Sequence, residues 1–414
     1  MIQRALMQEL LASLADSPAV LLQGPRQSGK TTLAKAISAH HTQARYLTLD
    51  DAAVLATARQ DPQGFIEGLA GPVIIDEFQR VPDLAMAIKG SIDEDRAPGR
   101  FFLTGSSNVL MLPKVADYLV GRAEIHTLWP LSQGELAGTP EQFAQEIFTQ
   151  EFTAHHPDQS ISREDLVERF LKGGFPVPIQ RESHRRRQAW FGSYITTVLQ
   201  REVRDMASIE GLSEMPRLLA LLATRVGALI NFADLSRSLS MPQSTLKRYM
   251  ALLEAAFLVR PLPAWSANLG KRLVKSPKLM LVDSGLLVYL LGAEQRRLLE
   301  DPALLGHLAE NFVVMELRKQ LAWLDPHAHL FHFRSTGGHE VDVLIERPDG
   351  RLVGIEVKAA SSIAPKDFRG LRYLRDLVGR RFCRGVVLYL GSEGLTVDSQ
   401  LFALPISALW RRRR

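Results

Sequence analysis

The fold is decided by residues 22–32, which read Leu22-Gln23-Gly24-Pro25-Arg26-Gln27-Ser28-Gly29-Lys30-Thr31-Thr32. This stretch follows the pattern G-x-x-x-x-G-K-T of a phosphate-binding loop, the P-loop. Glycine at two positions lets the backbone turn tightly and approach a phosphate without a Cβ in the way, and the amides of the loop form a nest for an anion. We therefore expect residues 24–32 to bind ATP, with Lys30 on the β- and γ-phosphates and Thr31 on Mg²⁺.

The residues on either side of the loop complete a strand–loop–helix unit. Ala19 to Leu22 form a short apolar run, as expected for a buried parallel strand. Residues 31–37 have helical composition, so the N-terminus of a helix would point at the phosphates. We therefore predict that the chain opens with an α/β domain that binds ATP.

A second apolar run, Val73-Ile74-Ile75, ends in Asp76 and Glu77 and has the Walker B pattern. Asp76 would hold the Mg²⁺ shell, and Glu77 would polarise the attacking water. Both acids lie at the C-terminal end of a predicted buried strand, where open α/β sheets bind their ligands. Together with Lys30 and Thr31 they form a candidate site for ATP hydrolysis.

The next predicted strand, within residues 100–108, ends in polar residues. Polar residues at the end of this strand can place a hydroxyl or an amide between the Walker B acids and the γ-phosphate. The candidates for this sensor are Thr104, Ser106 and Asn108, and spacing alone does not choose among them. Capping of the following helix by Ser106 or Ser107 is an equally good interpretation of these polar residues.

Arg122 follows Gly121 between a predicted helix and a predicted strand. An arginine in this place could contact a phosphate of the same subunit or of a neighbouring one, as a catalytic arginine finger. The alternative interpretation is a surface arginine beside Glu124.

The composition is that of an ordinary globular protein, with 46% hydrophobic and 23% charged residues over 414 positions. The single cysteine, Cys383, excludes an intrachain disulfide and fits a reducing compartment. Polar and acidic residues interrupt the apolar positions before the P-loop, so no N-terminal signal is visible. The longest apolar run, residues 279–293, contains Asp283 and is too short to span a bilayer. We expect a cytoplasmic protein with no membrane segment.

The positive charge is concentrated at the C-terminal end. Residues 351–414 hold 13 Lys or Arg and 5 Asp or Glu, a balance of +8, while the whole chain carries +5. A basic region of this kind indicates a polyanionic partner such as DNA. A solvated basic face is the alternative, and the terminal run Arg411–Arg414 does not decide between them.

Residues 231–265 have the form of a winged helix-turn-helix. Residues 232–239 would be its first helix, 244–257 its second helix and 258–265 its wing strands. We expect the second helix to bury Leu246, Met250, Leu253 and Phe257, and to turn outward Gln243, Ser244, Lys247 and Arg248. Those outward side chains suit phosphates and base edges. Winged helices also serve as packing or protein-contact modules, and this alternative stays open.

Residues 340–358 contain two alternating runs on either side of Pro348-Asp349-Gly350, which predicts a β-hairpin. With a three-residue loop, Arg347 pairs with Arg351. A two-residue loop would shift the register by one residue and place the key side chains on opposite faces.

The three-residue loop places Asp342 directly opposite Glu356, with Lys358 on the same face. Opposed like charges cost stability, so the two carboxylates indicate a divalent cation between them, with oxygen ligands that suit Mg²⁺. Lys358 could then orient a water or stabilise a phosphorane, and Glu310 on the preceding helix would add a third acid. This is the D…E-x-K pattern of restriction-endonuclease-like nucleases. An exposed hairpin with ordinary surface charges is the alternative.

These motifs together resemble one family. The N-terminal part of the chain is similar to prokaryotic AAA+ ATPases. The similarity is carried by the P-loop, Ile74-Ile75-Asp76-Glu77-Phe78-Gln79, residues 103–107 and Gly121-Arg122. Residues 338–342 and 355–358 resemble an uncharacterised C-terminal domain of restriction-endonuclease-like fold that is fused to such ATPases. The resemblance implies an AAA+ core, ATP with Mg²⁺, and homo-oligomers in which Arg122 or Arg201 acts in trans. Asp342 follows Val341 instead of the proline that many nucleases carry.

We thus predict an α/β protein with an AAA+ P-loop ATPase domain over residues 1–160. A helical region with the winged helix would cover residues 161–265, and a restriction-endonuclease-like α/β domain residues 266–414. The expected function is ATP hydrolysis in association with DNA, with a Mg²⁺-dependent nuclease-like C-terminal domain. The alternative is a nucleotide-switched regulatory or scaffold protein whose nuclease-like domain binds but does not cleave.

Overall fold

The computed structural model describes residues 2–40, 44–106, 113–154, 161–204 and 212–411. The sensor candidate Asn108 and the last three arginines of the basic tail lie outside these ranges. The chain divides into two compact units, Met1–Leu131 with Ala251–Leu258 and Ser132–Met250 with Val259–Arg414. The domain boundaries predicted after residues 160 and 265 both lie inside the second unit.

The first unit is built on a five-stranded parallel sheet. Its strands are β1 (Ala19–Gln23), β2 (Arg45–Thr48), β3 (Val73–Asp76), β4 (Phe101–Gly105) and β5 (Ala123–Thr127). The spatial order is β2-β3-β4-β1-β5, so β4 separates the P-loop strand from the strand that ends in Asp76. β1, β3 and β4 are buried along their whole length, which is why each is a nearly continuous apolar run. Because the strands are parallel, their carboxyl ends meet at one edge of the sheet.

Helices surround this sheet. They are Met7–Asp16, Lys30–His40, Ala52–Gln60, Pro62–Glu67, Leu84–Glu94 and Pro113–Leu119, with a single 3₁₀ turn at Phe78–Arg80. The helices Ala52–Gln60 and Pro62–Glu67 meet at Asp61. Its carboxylate caps the second helix by accepting from Gly64 N at 2.9 Å, and Pro62 opens that helix.

The second unit combines a helical part with a second sheet. Its helices are Gln133–Ala137, Phe143–Glu146, Arg163–Lys172, Pro176–Ile179, His184–Thr197, Met215–Ala223, Phe232–Leu239, Gln243–Ala255, Leu269–Val274, Ser284–Leu291, Gln295–Glu300, Pro302–Leu324 and Arg369–Val378, the eighth of which is shared with the first unit. A π-helical turn, Val198–Val203, follows the fifth helix. Within the described ranges, every helix is too short or too polar to cross a bilayer.

The second sheet has six strands, β6 (His329–Arg334), β7 (Glu340–Glu346), β8 (Leu352–Lys358), β9 (Phe382–Tyr389), β10 (Leu395–Thr396) and β11 (Leu401–Pro405). Their order is β10-β11-β9-β8-β7-β6. β6, β7 and β8 are antiparallel neighbours, whereas β8, β9 and β11 run parallel. The helix Arg369–Val378 packs closely on β8 and β9 at Gly354 and Gly385. A Cβ at Gly354 would lie only 2.8 Å from the Leu371 side chain, so glycine is needed for this approach.

The predicted hairpin register is confirmed. Val343 pairs with Ile355, and Arg347 N donates to Arg351 O at 3.0 Å across the three-residue loop. On the other side of β7 the register with β6 shifts between Phe331 and Phe333. This β-bulge, which contains Asp342, re-aims side chains at the end of the strand.

The winged helix is confirmed in its helices and wrong in its wing. The second helix is Gln243–Ala255, so Phe257 is buried beyond its end and not on it as predicted. The other predicted inward side chains are buried and the outward ones are exposed, as expected. Residues 258–265 do not form wing strands with one another. Arg260 N instead donates to Met280 O, and Leu262 N to Lys278 O, each at 2.8 Å. The partner segment lies beyond residues 263–277, which include the helix Leu269–Val274.

Candidate active site

The P-loop adopts a backbone that only glycine accommodates at its first conserved position. Gly24 has φ +150°, and a Cβ added there would lie 2.3 Å from Leu128 O in the segment that follows β5. Gly29 also has positive φ, at +101°. The loop therefore turns against the backbone beside it, which leaves its concave side for a ligand.

Polar groups of the loop converge on that concave side. Lys30 is 5% exposed, and its Nζ donates to Gly24 O at 3.0 Å and to Pro25 O at 2.8 Å. The buried Ser28 hydroxyl has no hydrogen-bond partner within the described part of the chain. Arg4 holds the outer side of the loop, donating to Ser28 O at 2.8 Å and to Trp129 O at 2.7 Å.

The Walker B aspartate is held by three hydroxyl groups. Asp76 Oδ2 accepts from Thr31 Oγ1 at 2.9 Å and from Tyr46 OH at 2.8 Å, and Oδ1 accepts from Thr104 Oγ1. Burial, followed by the hydrogen bond to Asp76, raises the pKa of Tyr46 well above its usual value, so its hydroxyl stays a donor. The two predicted Mg²⁺ ligands of this site, Thr31 and Asp76, therefore lie side by side.

Glu77 begins a turn in the left-handed conformation, with φ 60° and ψ 37°. Its backbone N donates to Thr104 Oγ1 at 3.2 Å, and its carboxylate accepts from Gln79 Nε2 at 2.5 Å. The same Gln79 nitrogen lies 2.9 Å from Ser106 Oγ. Two of the three sensor candidates thus have distinct contacts: Thr104 holds the Walker B backbone and Asp76, whereas Ser106 is joined to Glu77 through Gln79.

These residues fit a nucleotide with Mg²⁺. Gly24, with φ +150°, lets the loop turn against the Leu128 backbone and keeps its concave side open, and the buried Ser28 hydroxyl has no partner among the described residues. Hydroxyl and carboxylate oxygens, as on Thr31 and Asp76, are the ligands Mg²⁺ prefers. Bound Mg²⁺ would supply charge neutralisation on the phosphates.

Arg122 is engaged within its own chain. Its Nε and NH2 donate to the two carboxylate oxygens of Asp93 at 2.7 and 2.8 Å. This bidentate pair raises the pKa of Arg122. Arg201, the other arginine considered for action in trans, is exposed on the π-helical turn.

The C-terminal acids come together around two lysines. Asp342 Oδ2 accepts from Val357 N at 2.9 Å, beside Glu356 on the neighbouring strand. Glu356 Oε1 accepts from Lys358 Nζ at 2.8 Å, and its Oε2 is buried with no partner in the described ranges. Burial, followed by the charge of Asp342, raises the pKa of Glu356.

Lys278 lies between two of the three acids of the predicted metal site, Glu310 and Asp342. Its Nζ lies 2.6 Å from Glu310 Oε1 and 3.1 Å from Asp342 Oδ1. Among the residues that the structure describes, no three His, Cys, Asp or Glu side chains form a group able to hold a metal. Of the three predicted metal ligands, Glu310 and Asp342 share Lys278, and Glu356 pairs with Lys358.

Sequence reasoning missed Lys278, Tyr46 and Gln79. Lys278 directly precedes the apolar run 279–282. A lone lysine beside a buried run indicates a buried ammonium group that is paired with an acid. Gln79 stands two residues after Glu77, within reach of it across a tight turn. Tyr46 carries no comparable signal, because only the pairing of β2 with β3 brings it to Asp76.

Family models match three consecutive parts of the chain. An AAA domain matches residues 16–137, a domain of unknown function (DUF8612) residues 163–297, and a second domain of unknown function (DUF4143) residues 305–409. The match to the AAA domain agrees with the P-loop and Walker B geometry. The third match covers β6 to β11 and assigns that sheet no activity.

Among solved structures, the chain is similar to the Walker-type ATPase PABY2304 of Pyrococcus abyssi, with 14% identity, a TM-score of 0.45 and coverage of 70% of this chain and 96% of that one. It is also similar to the RuvB Holliday junction branch migration motor of Thermotoga maritima, with 18% identity, a TM-score of 0.31 and coverage of 63% and 90%.

Curated relatives match the chain over nearly its full length. The uncharacterized protein Rv2008c of Mycobacterium tuberculosis and the uncharacterized protein Mb2031c of Mycobacterium bovis are each 33% identical over 397 residues, which is 96% of this chain and 82% of each relative. An uncharacterized protein of Haemophilus influenzae is 25% identical over 261 residues, 60% of this chain and 57% of that protein. The chain therefore belongs to the family of Rv2008c and Mb2031c, and its first unit is an AAA-type ATPase domain.

Proposed function

We propose that this AAA+ protein binds ATP with Mg²⁺ at the P-loop and hydrolyses it with Glu77 as the residue that polarises water. The observation that carries the proposal is the convergence of Thr31, Asp76 and Thr104 at the carboxyl edge of the parallel sheet. Glu77 follows directly and is anchored to the same Thr104 hydroxyl. A metal-binding acid and a water-polarising acid thus share one rigid support.

Lys30 is the residue that binds phosphate in this proposal. Its ammonium is now satisfied by two carbonyls of its own loop, which keeps a buried charge compensated. Phosphate oxygens offer a stronger, charge-assisted bond, so nucleotide binding turns the ammonium from the carbonyls to the ligand.

Two substitutions separate binding from hydrolysis. Lys30→Ala should abolish tight nucleotide binding, whereas Glu77→Gln should keep binding and lower the rate of hydrolysis by about 10²–10⁴-fold. Arg59→Ala is the control, because Arg59 is exposed on the helix Ala52–Gln60 of the same unit and its loss also removes one positive charge. Fluorescent-nucleotide binding and phosphate release measure the two quantities. Hydrolysis by Glu77→Gln at the wild-type rate would show that the role given to Glu77 is wrong.

We further propose that the second unit binds DNA. The helix Gln243–Ala255 exposes Gln243, Ser244, Lys247 and Arg248 on one face, as a DNA-reading helix of a winged helix does. The +8 balance of residues 351–414 adds an attraction for phosphates that is independent of base sequence.

Salt dependence tests this interaction. Affinity for duplex DNA should fall steeply as salt rises, because neutralised phosphates release counterions. Removing both Lys247 and Arg248 should flatten the slope by about 2, or about 1 per phosphate contact. Arg296→Ala is the control. Arg296 is exposed on the helix Gln295–Glu300, where it pairs with Glu300 of the same helix. No binding at low salt would favour the scaffold alternative.

For the C-terminal sheet we propose a restriction-endonuclease-like fold. The support is the antiparallel pair β7–β8 followed by parallel β9, with Asp342 opposite Glu356 and Lys358 two residues later. Of the two candidate functions, DNA cleavage and DNA binding without cleavage, the contacts of Lys278 favour binding without cleavage. Cleavage of DNA by the wild type with Mg²⁺ or Mn²⁺, lost in Asp342→Asn, would decide for the nuclease.

A further inference from the structure

Lys278 belongs to the strand segment that completes the winged helix. Lys278 N and O both bond Leu262, and Leu279 N donates to Ala228 O at 2.9 Å. The backbone of this segment is thereby held between residues 228–230 and 259–262. The lysine side chain, 8% exposed, extends from there to the acids of the helix Pro302–Leu324 and of β7.

The ammonium is placed as a shared counter-ion. It contacts Glu310 and Asp342 together, and both of these acids are largely buried, with side chains 11% and 15% exposed. Lys358 performs the same role for Glu356 at 2.8 Å. Three acids therefore meet two ammonium groups, which removes most of the repulsion that the hairpin register would otherwise create.

A divalent cation and Lys278 exclude each other at this position. Mg²⁺ requires oxygen ligands at about 2.0–2.1 Å in near-octahedral geometry. An ion in contact with both Glu310 and Asp342 would have to take the place of the ammonium nitrogen, and its charge would repel a lysine that stayed nearby. Displacing the lysine is costly, because its stem is fixed by a buried strand segment.

We infer that Lys278 is the resident cation of this centre in place of a metal, and that it fastens the winged helix to the nuclease-like sheet. The inference rests on the fold proposed above for the C-terminal sheet and specifies how its acids are used. The unit then needs no divalent ion for its integrity. Removing the ammonium uncovers a carboxylate cluster with metal affinity.

The test uses the full-length, nucleotide-free protein and counts bound Mn²⁺ by electron paramagnetic resonance. The variant Asp342→Asn, which keeps Lys278, should bind the same number of Mn²⁺ ions as the wild type. Lys278→Met, which keeps an apolar stem, should gain one Mn²⁺ per chain and should melt at a higher temperature with Mn²⁺ than without it. The Lys278→Met, Asp342→Asn double variant should lose that ion.

Lys319→Met is the matched control. Lys319 is also buried, and its Nζ lies 2.6 Å from Glu316 Oε1 on the same helix that carries Glu310. Its loss should lower the melting temperature without any gain of Mn²⁺.

Two results would overturn the inference. One is Mn²⁺ that binds to the wild type and is lost in Asp342→Asn. This comparison uses only proteins that keep Lys278, so it does not depend on the folding of Lys278→Met. The other is a folded Lys278→Met protein that binds no additional Mn²⁺. The DNA-binding assay is independent of this count, so a failure of the DNA proposal and a failure of this one can be told apart.

Discussion

Replacing Gly24 with alanine tests the P-loop geometry most directly. A Cβ at this position would lie 2.3 Å from the carbonyl oxygen of Leu128, and the residue has φ +150°. Reaching an ordinary contact requires the two backbone segments to separate by about 1 Å. That separation breaks the hydrogen bond from Leu128 N to Gln23 O, now 2.8 Å long.

The cost follows from two terms. A non-glycine residue in this backbone region costs about 1–3 kcal/mol, and the lost hydrogen bond about 1 kcal/mol. We therefore expect Gly24→Ala to lower the free energy of unfolding by about 2–4 kcal/mol. Because the strain is located in the loop that binds phosphate, ATP binding should be lost as well.

Urea unfolding and nucleotide binding measure the two effects, with two matched glycines as controls. Gly71 has φ +68° and no atom near an added Cβ, so Gly71→Ala should cost about 1–2 kcal/mol and keep ATP binding. Gly90 lies in the helix Leu84–Glu94 with open space around it, so Gly90→Ala should stabilise by about 0.5–1 kcal/mol. If Gly24→Ala behaves like Gly71→Ala in both assays, the close approach to Leu128 is not what constrains the loop.

Three other changes are predicted. Tyr46→Phe removes a hydrogen bond to Asp76, so hydrolysis should need about 10–100-fold more Mg²⁺; an unchanged Mg²⁺ dependence of the rate would contradict this. Arg122→Ala should keep ATP binding and lose hydrolysis, and mixing it with Lys30→Ala protein should restore activity if the arginine acts across subunits; a mixture without activity speaks against an arginine finger. Burial, followed by the charge of Glu316, raises the pKa of Glu141 from 4.5 to about 8, so between these values the folded state holds a proton that the unfolded chain has released. Stability should therefore fall as pH rises through this window and level off above about pH 8, and urea unfolding of Glu141→Gln should show a smaller slope.

Local patterns were sufficient wherever the chain interacts with itself over short distances. The hairpin register was predicted because three turn residues, Pro348-Asp349-Gly350, set which side chains face each other. The inward and outward faces of the helix Gln243–Ala255 were predicted because helical periodicity assigns them. The wing was wrong, since residues 259–262 pair with residues 278–281, and the 15 residues between them, 263–277, include the helix Leu269–Val274.

The nucleotide site divides in the same way. The P-loop and Walker B identified Lys30, Thr31, Asp76 and Glu77 from spacing alone. Which hydroxyl holds the Walker B acid was not decided by spacing, because Thr104 and Ser106 are two residues apart and an extended chain places both on the same face. Strand order decides it, since β4 lies beside β3 and directs Thr104 to Asp76 while Ser106 meets Gln79.

The amino-acid sequence alone determined the chemistry that this chain can carry: a loop for phosphate, acids for Mg²⁺ and water, and three further acids with a lysine near the C-terminus. Those identities are local, because each depends on residue type and spacing within one strand, turn or helix. Only the tertiary structure decided which charge neutralises the C-terminal acids. Lys278 precedes Glu310 by 32 residues and Asp342 by 64, and the three meet only when the segment that carries Lys278 folds against the helix Pro302–Leu324 and β7. A buried carboxylate binds whatever cation the fold brings nearest, and here the fold brings an ammonium group.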